Sequence, residues 1–221
     1  MTALAVVIPA RDESALVERC LRSVLAARDA AARDIPIVLV ADRCADSTAL
    51  LARSMLGVTV IEVDGGNVGA ARAAGVARAL ELLDSPAEQS WIANTDADSA
   101  VPRNWITEQL AIAEEGFDLM IGTVRPDFAD LSSEQIALWR RTHRRGRPNG
   151  HVHGANLGIR VSAYLAAGGF APLSEHEDND LVGRIVGPAL ATDGCEVMTS
   201  GRSVGRTPGG YARFLHGGVS A

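Results

Sequence analysis

The sequence predicts an α/β fold, a mostly parallel central sheet flanked by helices. Two observations carry this. Short β-branched runs alternate with longer amphipathic stretches through the first 124 residues, the rhythm of βαβ units. The run 36–41 is continuously apolar, as a strand buried on both faces is. A length of 221 residues, 47% of them apolar, suits one such domain spanning 1–221.

Residues 4–9 read as the first strand and 14–27 as a helix, with apolar positions at Leu16, Val17, Leu21, Val24 and Leu25. Residues 36–41 are the second strand, 47–55 a helix and 58–63 the third strand. Asp64-Gly65-Gly66-Asn67 is a loop. An alanine-rich helix over 69–83 follows, then a strand over 91–94, a helix over 105–115 and a fifth strand over 119–124. After Val124 the pattern loosens. A helix-like piece covers 132–143 and an arginine-rich, Gly/Pro-broken loop follows. The remainder reads as a second layer built onto the sheet.

Composition excludes several chemistries. All 21 basic residues are arginine. A Walker A loop needs its Lys, and Schiff-base or pyridoxal-phosphate chemistry needs one too. The net charge of −6 disfavours a nucleic-acid binder with a broad basic face. Cys20, Cys44 and Cys195 are odd in number and widely spaced, which fits a reducing, cytoplasmic setting without disulfides. The apolar start meets Arg11, Asp12 and Glu13 at once, so it does not read as a signal peptide. No apolar run approaches the ~18 residues of a membrane span. Peripheral membrane contact and oligomeric state are left open.

Ligands of open α/β sheets bind at the carboxyl ends of the strands. Those ends carry Ala10-Arg11-Asp12-Glu13, then Asp42-Arg43, then Gly66-Asn67-Val68-Gly69, then Thr95-Asp96-Ala97-Asp98. Asp96 and Asp98, two apart at a strand end, face one side about 6–7 Å apart. Two unit charges about 4 Å apart repel by roughly 4 kcal/mol at an effective dielectric near 20. A divalent cation turns that penalty into binding, and oxygen ligands suit Mg²⁺ or Mn²⁺. The plainer reading makes the Asp a helix cap before Trp105. The glycine loop leads into a helix, where backbone and N-terminus favour an anion; a tight turn with close helix packing explains it equally. Arg72 reads as a phosphate clamp or a surface charge.

Ser174 and Glu177 have capping-box spacing, which by itself accounts for the acids of 175–180. His151-Val152-His153 would face one way on a strand, lining a pocket or binding metal. Arg140, Arg141, Arg144, Arg145 and Arg147 read as a solvated helix face, with an anionic substrate or lipid surface as the alternative.

In this order the pieces resemble the family 2 glycosyltransferases, whose fold is the Rossmann-like GT-A fold. Val6-Val7-Ile8-Pro9-Ala10-Arg11-Asp12-Glu13 is similar to the family's first strand and nucleotide-contacting turn. Asp42-Arg43-Cys44-Ala45-Asp46-Ser47-Thr48 is similar to its second acidic turn, with Arg43 where a second Asp is usual. Asn67 to Gly75 resembles the N-x-G…A-R-N-x-G segment, with Ala73 replacing Asn. Asp96-Ala97-Asp98 matches the metal-site DxD. His153-Gly154-Ala155-Asn156 and Gly168-Gly169-Phe170 match the small-residue pocket segment, and Glu177-Asp178 the ED motif. The resemblance covers residues 4–185. The C-terminal stretch has no QxxRW.

The resemblance implies transfer of a sugar from a nucleoside-diphosphate sugar, with a UDP-sugar favoured, to an unidentified hydroxyl acceptor, by inverting single displacement. It places the donor in residues 1–124 and the acceptor in 125–221. Pro9, Ala10, Arg11, Glu13, Asp42, Asn67, Gly69, Arg72, Asp96, His153, Gly154, Ala155, Asn156 and Glu177 would bind substrate. Asp98 would hold Mn²⁺ or Mg²⁺ with His216 as a third ligand, Asp178 would be the base, and Arg202 and Arg206 would close over the diphosphate. Two other functions use similar residues: a nucleotidyltransferase acting on a sugar phosphate, and a non-catalytic nucleotide-sugar-binding protein.

Overall fold

The computed structural model describes residues 1–146, 148 and 150–202. Five strands fall on the five apolar runs: β1 (Ala3–Ala10), β2 (Ile37–Asp42), β3 (Thr59–Val63), β4 (Ser90–Asn94) and β5 (Leu119–Pro126). Between them lie α1 (Val17–Ala31), α2 (Thr48–Arg53), α3 (Val68–Leu82) and α4 (Trp105–Glu114). Beyond β5 the chain forms α5 (Ser133–Thr142), β6 (Leu157–Arg160), α6 (Val161–Ala166), α7 (Glu177–Arg184) and β7 (Ala189–Thr199).

All seven strands join one sheet in the order β3-β2-β1-β4-β6-β5-β7. β1 is parallel to β2 and to β4, β2 to β3, and β5 to β7. Only β6 runs antiparallel, wedged between β4 and β5. Successive side chains of a strand point to opposite faces, and β1 shows the result. Leu4, Val6 and Ile8 enter a core with α1, α2 and α4 residues such as Leu21, Ala52 and Trp105. Ala5 and Val7 enter a second core with α3, α6 and α7 residues such as Val76, Tyr164 and Leu181. The sheet is thus covered on both faces, as the apolar run of β2 requires.

The C-terminal half adds to the sheet as well as covering it. β6 has four residues, too few for a period to show. β7 carries Asp193-Gly194 in mid-strand, which reads as a turn. A register shift between Gly122 and Val124 takes up the irregularity. α1 starts at Val17, three residues later than its apolar spacing suggests, because the backbone N–H groups of Leu16 and Val17 both donate to Glu13 O in a tight turn. It runs on to Ala31 and stops at Ala32, whose φ is +51°.

Asn156 fastens the late strands to the early ones. Its side chain accepts from Trp105 Nε1 at 2.8 Å and donates to Thr123 O at 2.9 Å and Cys195 O at 3.0 Å. Buried polar groups survive only when paired in this way.

Candidate active site

A cavity of about 720 Å³ opens at the carboxyl ends of β1, β2 and β4, within the usual range for small-molecule sites. Pro9, Ala10, Arg11 and Glu13 line it from the end of β1, and Asp42 from the end of β2. Asp42 is buried, and its Oδ1 accepts from Gly66 N at 2.8 Å, which holds the glycine loop against the cavity rim. Arg43, at φ +51°, turns away to pair with Asp64.

The glycine loop does less for a ligand than its composition suggests. Asn67 lines the cavity, but its Oδ1 accepts from Ala70 N at 2.8 Å as the cap of α3. Gly69 is not part of the lining. A Cβ there would stand 2.0 Å from Ala171 O, and its N–H donates to Leu173 O at 3.1 Å. Gly69 therefore serves close packing of α3 on the 171–173 loop. Asn156 is likewise a buried fastener outside the lining.

Asp96 and Asp98 both reach the cavity, though not from an extended strand. β4 ends at Asn94, and Ser99 N donates to Asp96 O at 3.0 Å, so 96–99 is a turn. Neither carboxylate caps α4, whose cap position is Asn104. Asp96 Oδ1 accepts from Arg72 Nη2 at 2.6 Å. Arg72 is neither a surface charge nor an exposed clamp: its side chain is 2% exposed, and Nε also pairs with Glu177 at 3.0 Å. Burial would favour the neutral form, yet Asp96 and Glu177 hold the guanidinium above its usual pKa. Gly154 packs on this arginine so closely that a Cβ would sit 2.2 Å from Nη2.

Asp98 Oδ1 accepts from Ser99 Oγ and Thr199 Oγ1, both at 3.2 Å. Its Oδ2 pairs with Arg202 at 2.9 Å. The same guanidinium grips both oxygens of Glu13 at 2.8 Å. Burial and the Asp96 charge together push Asp98 up to about 6, against the opposing pull of Arg202. Asp96, Asp98 and Glu13 thus bring three carboxylates to one cavity, with the Arg202 guanidinium between two of them. The cavity's carboxylates therefore fit an oxygen-ligated cation.

Further lining comes from α7 and the segment before β6. The expected Ser174–Glu177 cap is absent: His176, at φ +60°, occupies the cap position without a side-chain bond. Glu177 is committed to Arg72, and burial raises its pKa. Asp178 Oδ2 accepts from Gly154 N at 2.7 Å, and Oδ1 from Asn179 N at 2.7 Å. His153, Gly154, Ala155 and Asp178 all line the cavity. Residues 151–153 lie outside any strand, so the two histidines share no strand face; their rings are 6.4 Å apart. Burial pulls His153 down to about 4, partly offset by Asp178, so it is neutral at pH 7.

The cavity brings Pro9, Ala10, Arg11, Glu13, Asp42, Asn67, Arg72, Asp96, Asp98, His153, Gly154, Ala155, Glu177, Asp178 and Arg202 together. Arg206 and His216 lie outside the described residues. Spacing gave no hint of Thr199, because β7 itself was hidden. Asp12, Cys44 and Asp46 form a tight trio, the kind of group that can hold an ion. Asp12 and Asp46 already accept from backbone N–H groups of Ala45 and of Ser14 and Thr48, which staples two loops. Arg140 and Arg141 are exposed on the last turn of α5, Arg144 and Arg145 are exposed beyond it, and Arg147 lies outside the described residues.

Residues 5–165 match the model of the family described as glycosyl transferase family 2. The chain belongs to that family. No curated protein matches it. Among solved structures, S. aureus TarS 1-349 in complex with UDP-GlcNAc is 14% identical with a TM-score of 0.67, covering 95% of this chain and 62% of that one. GalNAc-T7 with UDP, GalNAc and Mn²⁺ is 16% identical with a TM-score of 0.66, covering 91% and 44%. The mannosyltransferase PcManGT from Pyrobaculum calidifontis, in complex with GDP-Man and Mn²⁺, is 16% identical with a TM-score of 0.65, covering 96% and 68%. At these identities the likeness shows the fold, and this family 2 chain has the GT-A architecture. It spans 60% of the length of S. aureus TarS 1-349. No helix among the described residues is long and apolar enough to cross a membrane.

Proposed function

We propose that this chain transfers a sugar from a nucleoside-diphosphate sugar to a hydroxyl acceptor by inverting single displacement. The observation that carries the proposal is the convergence of Asp98 and Asp178 on one cavity, with the β1 and β2 turns in its lining. Family membership and the fold support it, as do three neighbours holding UDP-GlcNAc, UDP with GalNAc, or GDP-Man.

In this reading Asp42 and the β1 turn receive the nucleoside, within the half 1–124, and a UDP-sugar is the favoured donor. Asp98 would hold Mn²⁺ or Mg²⁺, and Asp96, fixed by Arg72, would serve the ribose or support the metal from outside its ligand set. The cation, when bound, neutralises the departing diphosphate as a Lewis acid. His153 and Gly154 shape the acceptor side within 125–221. Asp178 removes the acceptor hydroxyl proton as oxygen attacks the anomeric carbon. Its hydrogen bonds to Gly154 N and Asn179 N fix the carboxylate for that transfer, and positioned general bases contribute about 10²–10⁴-fold.

The test is product identity. The chain incubated with UDP- and GDP-sugars, Mn²⁺ and a panel of hydroxyl acceptors is expected to release nucleoside diphosphate. Pyrophosphate release from a nucleoside triphosphate and a sugar phosphate would instead make it a nucleotidyltransferase. Tight nucleotide-sugar binding without any release would make it a non-catalytic binder.

A further inference from the structure

Arg202 occupies an unexpected place for a residue meant to close over a diphosphate. Its guanidinium is drawn inward onto two acids from different strand ends, Glu13 after β1 and Asp98 after β4. Nη1 and Nη2 each reach a Glu13 oxygen at 2.8 Å, and Nη2 also lies 2.9 Å from Asp98 Oδ2. Glu13 and Asp98 side chains are only 7% and 14% exposed. Charge-assisted, two-pronged pairing of this kind is among the stronger polar contacts a protein makes. Thr199 and Ser99 hold Asp98 Oδ1, so the arginine holds the oxygen that they leave.

We infer that Arg202 is a tethered cation that competes with the divalent metal for Asp98 and Glu13. The inference rests on the proposed metal-dependent reading of this site. Without donor, the guanidinium neutralises the two buried acids, and metal must displace it to reach Asp98 Oδ2. A donor diphosphate offers the displaced guanidinium a new anionic partner. Metal and nucleotide therefore assist one another beyond their direct contact, and by linkage each raises the other's affinity by the same factor. This makes a donor-free enzyme a poor metal binder.

The test is Mn²⁺ binding without nucleotide, followed by the loss of the free-ion electron paramagnetic resonance signal, on the full chain and on Arg202→Gln. The expected result is Mn²⁺ affinity about tenfold higher in Arg202→Gln, the size of one lost charge-assisted competitor. The mutual enhancement between Mn²⁺ and UDP should shrink in the same variant. Arg202→Lys keeps the charge but loses the planar fork and is expected to fall between. It carries the test if the Gln variant is poorly folded by circular dichroism. Unchanged or weaker Mn²⁺ binding in both variants overturns the inference. UDP binding separates the two failures: with UDP still bound, only the competition is wrong, whereas loss of all nucleotide and metal binding sinks the glycosyltransferase reading too.

Discussion

Arg72 Nε lies 3.0 Å from Glu177 Oε1, a buried ion pair between residues 105 apart that ties α3 to α7. The same guanidinium holds Asp96, so one arginine fixes two acids of the cavity lining. Removing one partner of a buried pair typically costs about 3–5 kcal/mol. Asp96 stays to compensate Arg72, so Glu177→Ala is expected to cost about 3 kcal/mol, a fall in Tm of about 6–12 °C for a chain of this size. Calorimetry checks it, and a change under 2 °C would mean the pair does not hold the walls together.

That pair was not legible in the sequence. Glu177 has a sufficient local explanation as a capping acid, and Arg72 as a charge in a helix's first turn. What revealed the site was the order of strand-end acids, because βα turns in a parallel sheet all open on one edge. The five parallel-type strands were legible for the same reason: each is a compact β-branched run bounded by turn residues. β6 and β7 were not, since four residues show no period and Asp193-Gly194 imitates a turn. Gly69 and Asn156 look like ligand contacts in sequence. Only the 2.0 Å approach to Ala171 O and the three bonds to Trp105, Thr123 and Cys195 show that they hold the frame.

His153 supplies a pH signature. Its folded pKa, near 4, lies below the ordinary value of 6.5. The unfolded chain thus binds the proton more readily, and stability rises with pH across this window. The contribution is complete above about 6.5 and is lost as pH falls through about 4. His153→Gln is expected to flatten the decline in Tm between pH 6.5 and 4 relative to the native chain. An imidazole resonance titrating near 6.5 in the folded protein would contradict this.

Asp178→Asn should separate binding from chemistry. The amide oxygen can still accept from Gly154 N, and the exposed Asn179 N–H that loses its acceptor can turn to water, so the wall should keep its shape. Donor affinity is expected to stay within about twofold, while turnover falls by at least about a hundredfold, the low end for a lost general base. Wild-type turnover in this variant would remove Asp178 from the mechanism.

The most direct test of the whole account is thermal stability with UDP, GDP and dTDP, each with and without Mn²⁺, in the native chain and in Asp98→Ala. A ligand at about 100 times its Kd adds roughly 2.7 kcal/mol, which is about 5–10 °C for a chain of this length. The account predicts such a shift for one nucleotide, dependent on Mn²⁺ and lost in Asp98→Ala. An equal shift in Asp98→Ala, or none with any nucleotide, would contradict it.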